Sequence, residues 1–147
     1  MKTLACFAFQ LAFLAGAFAD PVFEIAKVHP TPGENTREMM FTRLKNPIRL
    51  YVDRTPAITD KDIAEALLLD EKDPGVRITL TNEGFEKFDQ LVKDSIPGRL
   101  AVIVEGKVNR ILYISKVERI GAFPVYGNWT SDEAKRIVAA LRTSAGR

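Results

Sequence analysis

Cysteine and histidine are nearly missing from this 147-residue sequence, which has one of each. The cysteine is Cys6, so the chain beyond it has no thiol for a disulfide, for nucleophilic catalysis or for a metal site. The histidine is His29, and a single imidazole without cysteines leaves only carboxylates to complete a zinc site. We therefore expect neither a metal nor another cofactor.

A strong excess of charge is also absent, because 21 Lys and Arg residues face 19 Asp and Glu residues. The net charge of +2 gives no electrostatic reason to expect binding to nucleic acid or to an anionic membrane surface. We therefore look for partners among proteins.

The first 19 residues predict a secretory signal peptide. Lys2 is followed by an apolar run over residues 4–14 that only Gln10 interrupts, and Ala17 and Ala19 then provide small side chains. This order fits cleavage between Ala19 and Asp20. A membrane anchor is the first alternative, but a spanning helix needs about 20 apolar residues. A lipid-modified Cys6 is the second, and it comes too early, before the apolar region.

Cleavage at this position leaves residues 20–147, and the loss of Lys2 lowers the net charge to +1. A chain of this length suits one domain with a real core. We expect a periplasmic or secreted protein that does not span the membrane once the signal peptide is removed.

The remaining sequence is rich in strand patterns. Residues 48–53 and 76–80 alternate apolar and polar side chains, and residues 100–104 are continuously apolar, as in a strand covered on both faces. Glu105-Gly106 then predicts a tight hairpin turn. The predicted strands cover residues 22–28, 48–53, 76–80, 100–104, 107–115 and 123–126.

Three helices are predicted between these strands. Thr59 would cap the first, in which Ile63, Ala64, Leu67 and Leu68 have helical spacing, and Thr81 or Asn82 would cap the second. Thr130-Ser131-Asp132-Glu133 fits a capping box at the start of the third. Residues 34–46 could form a short helix or a strand with its turn. We expect an α+β fold, a single domain with a mainly antiparallel sheet and about three helices packed on it.

Catalysis has weak support in this sequence. His29 as a general base would need a nucleophile and an orienting acid, and the sequence does not place Ser95 or Ser115 near it. The acidic groups at residues 60–62, 70–73 and 132–133 lie at predicted helix ends, where capping and the helix dipole explain them.

An ordered set of motifs gives a more specific indication. The motifs are Val76–Gly84, Lys87-Phe88, Gly98–Val108, Gly127–Thr130, Glu133-Ala134 and Leu141-Arg142. Residues 76–146 resemble the head portion of the first periplasmic domain of SecD, the accessory subunit of the bacterial Sec translocon. Residues 23–25 and 56–63 agree more loosely with the same family. Two departures are Arg110-Ile111-Leu112, where the family usually has Ser-Ala-Pro, and the end of this chain where the family continues towards membrane helices.

The resemblance implies a non-catalytic periplasmic module that contacts exported or unfolded polypeptide, with components of the Sec translocon as possible partners. The alternative is a structural envelope protein that binds one folded partner, and a hydrolase is a distant third. The expected contact surface is the strand after Gly106, because Ile111, Leu112, Tyr113 and Ile114 are more apolar residues than one buried face needs. An exposed edge there could accept an added strand. The opposing possibility is that a helix or residues 34–46 cover this surface.

Overall fold

Two antiparallel sheets and two helices make up residues 20–145, the part of the chain that the computed structural model describes. The first sheet has the strand order β2-β3-β1-β7-β8, with β4 beside β1, and the second has the order β5-β6-β9. The elements in chain order are β1 Phe23–His29, β2 Thr36–Phe41, β3 Ile48–Asp53, β4 Ile58–Thr59, β5 Ile63–Leu68, β6 Gly75–Leu80, α1 Asn82–Asp94, β7 Gly98–Val104, β8 Lys107–Ile114, β9 Ala122–Tyr126 and α2 Ser131–Ala145.

The α+β fold with a mainly antiparallel arrangement is confirmed, but two helices are present in the described residues instead of about three. Residues 34–46, which the sequence left open, contain strand β2 and the loop after it. Within residues 20–145, neither helix has the length and apolar character needed to cross a membrane. The predicted signal peptide over residues 1–19 lies outside the described residues.

Strands β1 and β7 run through the centre of the first sheet and supply two cores. Phe23 and Ile25 point into the core that the helices and the second sheet cover, whereas Ala26 and Val28 point to the opposite face. Alternate residues of β7 divide in the same way, because successive side chains of a strand point to opposite faces. The first sheet curls so that β2 approaches β8 and closes the second core.

The helix predicted after Thr59 is wrong. One 3-10 turn covers Asp60–Asp62, and the chain then forms β5, which pairs with β6. The pairing skips a residue between Ile63 and Glu65, so a β-bulge lies at this point. The bulge brings Ile63 and Ala66, three positions apart, onto the same buried side. Buried apolar residues three positions apart have the spacing of an amphipathic helix, which explains the wrong prediction.

The other local predictions are confirmed. Thr81 caps α1 by accepting a hydrogen bond from the Gly84 N–H at 2.9 Å. Thr130 and Glu133 form the predicted capping box, with bonds of 2.7 and 3.2 Å. Glu105 and Gly106 have φ values of 50° and 76°, which fit the two-residue turn between β7 and β8.

Candidate functional site

Strand β8 is an edge strand, because it pairs with β7 and ends the strand order of the first sheet. All four residues of the predicted contact surface lie in it. Tyr113 leaves 74% of its surface exposed, while Ile111, Leu112 and Ile114 are half-buried. Leu112 and Ile114 pack against the core beneath the helices, and Ile111 packs against the other core. Of the four residues expected to form an exposed surface, Tyr113 is therefore the one that is mostly exposed.

A groove of about 380 Å³ lies on the helix side of this edge. Phe88 and Val92 of α1 line it together with β8, and Ile120 contributes from the segment between β8 and β9. Arg119 holds this segment on α1, since its guanidinium carbon lies 4.9 Å from the centre of the Phe85 ring. Arg110, Ser115, Lys116 and Glu118 also line this groove, so its surface is partly apolar and partly polar.

A second groove, of about 560 Å³, lies on the other side of the same edge. Its apolar lining includes Phe41, Ile111 and the exposed residues Leu44 and Tyr126. Arg43 and Arg110 also line it, and no acidic residue does. Side chains that alternate along an added strand would point in turn towards the two grooves.

Strand β2 and the loop after it approach this edge, and Phe41 and Leu44 line the second groove beside Ile111. Nη1 of Arg43 donates hydrogen bonds to the Asn109 carbonyl at 3.0 Å and to the Tyr126 carbonyl at 2.7 Å. Among the described residues, no hydrogen bond from an element other than β7 reaches the backbone of residues 110–114. These five residues form the open segment of β8, which we call the acceptor edge.

The sequence of this domain matches a known protein family. The description of that family is SecDF, P1 head subdomain, and the match covers residues 37–145, well over half of the chain. The chain belongs to the SecDF P1 head subdomain family. The resemblance stated from the sequence motifs is therefore confirmed.

Individual relatives agree with this P1 head assignment. The protein translocase subunit SecDF of Thermus thermophilus is 29% identical over 123 residues, and subunit SecD of Aquifex aeolicus is 32% identical over 97 residues. The matches cover 82% and 64% of this chain but only 17% and 19% of the two relatives. The chain thus spans less than one fifth of their lengths.

Two solved structures share the fold. A crystal structure of SecDF in a super-membrane-facing form has a TM-score of 0.61 and 24% identity, and the match covers 84% of this chain and 19% of that one. A structure of SecDF, described as a membrane component that enhances protein export, has a TM-score of 0.61 and 23% identity. That match covers 84% of this chain and 62% of the other.

His29 of this P1 head does not contact the hydroxyl of Ser95, one of the two serines considered from the sequence. Nε2 of His29 lies 2.5 Å from Oδ1 of Asp53, and Ser95 lines the same groove. The Ser95 hydroxyl is buried and has no hydrogen-bond partner among the described residues, so it does not contact the imidazole. The contact between nucleophile and base that acyl transfer requires is missing from this groove.

The acidic residues at 60–62 serve the fold of the P1 head. Asp60 accepts hydrogen bonds from the backbone N–H groups of Val22 and Phe23. Asp62 accepts one from Lys87 at 2.7 Å, and this bond raises the pKa of Lys87. Asp62 also accepts a hydrogen bond from the Thr59 N–H at 3.0 Å, as expected for an acid at the start of a helical element. Asp60 does not have the predicted capping role, because both of its bonds come from residues at the beginning of β1.

Arg43 is the residue at the acceptor edge that sequence reasoning missed. In the sequence, Arg43 is one of several basic residues between positions 37 and 54, and nothing singles it out. Its contacts lie 66 and 83 residues away along the chain, and no local pattern signals them. Only the arrangement of the strands brings it to β8.

Proposed function

We propose that this P1 head is a non-catalytic module that binds extended polypeptide during protein export, by adding a strand of the polypeptide to the acceptor edge. The proposal is carried by the edge itself, which consists of five residues of β8 with a groove on each side. Unpaired backbone groups of an edge strand bind another strand with little sequence preference, and side-chain pockets add selectivity.

Family membership supports the same function. A related SecDF is described as enhancing protein export, and a domain of that family is suited to meet polypeptide outside the cytoplasm. The predicted signal peptide and its cleavage between Ala19 and Asp20 would deliver the domain there. Components of the Sec translocon are the partners that this function implies.

A titration of the isotope-labelled domain with a permanently unfolded protein tests the proposal. We expect weak binding, with amide shifts concentrated in residues 110–114 and in the lining of the two grooves. Shifts confined to charged loops and lost in modest salt, or no shift at millimolar ligand, would refute this mode of binding.

Two variants make the test specific. Tyr113→Ser removes the most exposed aromatic side chain of β8 and should weaken binding about fivefold, the equivalent of about 1 kcal/mol. Leu69→Ser is the matched control, because Leu69 is also exposed but follows β5 in the other sheet. Equal losses in both variants would point to nonspecific hydrophobic binding. One tight folded partner in a crosslinking experiment would instead favour a structural envelope protein.

A further inference from the structure

Arg43 lies where the free edges of the two sheets meet. Strand β8 ends the first sheet and β9 ends the second, and the two carbonyls that Arg43 binds belong to Asn109 and Tyr126, one in each edge strand. Building on the proposed function, we infer that Arg43 is an end stop that limits strand addition on β8 to the acceptor edge, residues 110–114.

An added strand would compete with Arg43 for one hydrogen-bond acceptor, the Asn109 carbonyl. A polypeptide that paired with β8 beyond Arg110 would have to displace the guanidinium from the Asn109 carbonyl. Hydrogen bonds from a charged donor are roughly twice as strong as those between neutral groups. The same movement would strip the Tyr126 carbonyl of its donor, so the displacement breaks two bonds at once.

The backbone of β8 changes at the same position. Arg110 pairs with Val102 and Val108 pairs with Ile103, so Asn109 is the extra residue of a β-bulge. Bulges bend a strand and interrupt its ladder, and they are frequent at sheet edges. The bulge therefore coincides with the position that Arg43 occupies on β8.

Arg43 also opposes pairing between two copies of this domain. Natural proteins place charged side chains at edge strands because open edges pair with one another. Arg43 and Arg110 put two positive charges beside the acceptor edge without an acidic neighbour in the groove lining. Removal of Arg43 would both lengthen the open edge and reduce this charge.

Two synthetic peptides of alternating threonine and valine test the inference, one of five residues (about 17 Å extended) and one about nine residues long (roughly 30 Å). The full chain after removal of residues 1–19 should bind both peptides equally. Arg43→Ala should bind the longer peptide about fivefold more tightly than the shorter one, the value of about one added hydrogen bond. Amide protection should then extend from residue 110 to Val108.

Arg43→Lys keeps the charge and a donor, so it should retain most of the wild-type behaviour, and it serves if Arg43→Ala does not fold. Arg54→Ala is the matched control, because Arg54 also donates to a backbone carbonyl, that of Thr36, away from β8. Length discrimination in the wild type, or none in Arg43→Ala while the peptides bind, would overturn the inference.

Sedimentation velocity separates this inference from the proposed function. If neither peptide binds any variant, the proposed function fails, and the end stop is then judged by self-association alone. Arg43→Ala should dimerise at concentrations where the wild type and Arg54→Ala remain monomeric. A monomeric Arg43→Ala in that case would overturn the end stop as well.

Discussion

Asp60 holds the beginning of β1 against the 3-10 turn, and its replacement by alanine should weaken the fold substantially. One carboxylate oxygen accepts the Val22 N–H at 3.0 Å, and the other accepts the Phe23 N–H at 2.6 Å. Asp60 is 8% exposed and Phe23 is fully buried, so water cannot readily replace the second bond.

The expected loss follows from these two bonds. A hydrogen bond to a charged group contributes about 1.5–3 kcal/mol, and a buried donor without a partner costs a similar amount. Burial of the carboxylate offsets part of this gain, and the Val22 N–H is only partly buried. We therefore expect Asp60→Ala to lower the free energy of unfolding by about 3 kcal/mol and Asp60→Asn, which keeps one acceptor, by about half as much.

Urea unfolding of both variants measures the difference. Asp70→Ala is the control, because Asp70 is exposed and its only described bond is a local one from the Lys72 N–H. Hydrogen exchange should show faster exchange at Phe23 in Asp60→Ala. A loss below about 0.5 kcal/mol, equal to that of an ordinary surface substitution, would refute the assignment of these bonds to stability.

Three further predictions follow from local features. Thr130→Ala should lower stability by about 1 kcal/mol in denaturant melts, because α2 loses its capping hydroxyl; an unchanged midpoint would contradict this role. The bond from Arg136 lowers the pKa of Glu105, so the pair stabilises the fold above the ordinary pKa of Glu105 and this contribution disappears as pH falls through the lowered value. Glu105→Gln should therefore lose less than about 1 kcal/mol at pH 7, and this loss should shrink as pH falls through the lowered pKa of Glu105. Intact-mass measurement of exported protein should show a chain that begins at Asp20, and a species that retains residues 1–19 would contradict processing after Ala19.

Features determined by neighbouring residues could be predicted from the sequence. The capping box needs only Thr130 and Glu133 three positions apart, and the hairpin needs only two turn residues between strands. The apolar run at residues 100–104 also identified a strand covered on both faces, because each face of β7 contributes to a different core.

Features that depend on distant pairing were beyond such reasoning. The bulge between Ile63 and Glu65 exists only because β5 pairs with β6, and without that pairing the spacing of Ile63 and Ala66 favours a helix. The sequence identified the apolar residues around Tyr113 but not the side of β8 that stays open. The order of the strands decides which side of β8 stays open, and Arg43 limits the length of the open segment.

The shared position of β1 and β7 has a mechanical consequence. A polypeptide bound along β8 and pulled parallel to it would load the hydrogen bonds between β8 and β7 in shear, so that several must break together. The force would pass through β7 into β1, whose side chains are anchored in both cores. Because β1 contributes to both cores, a force that reached it would act on both cores at once.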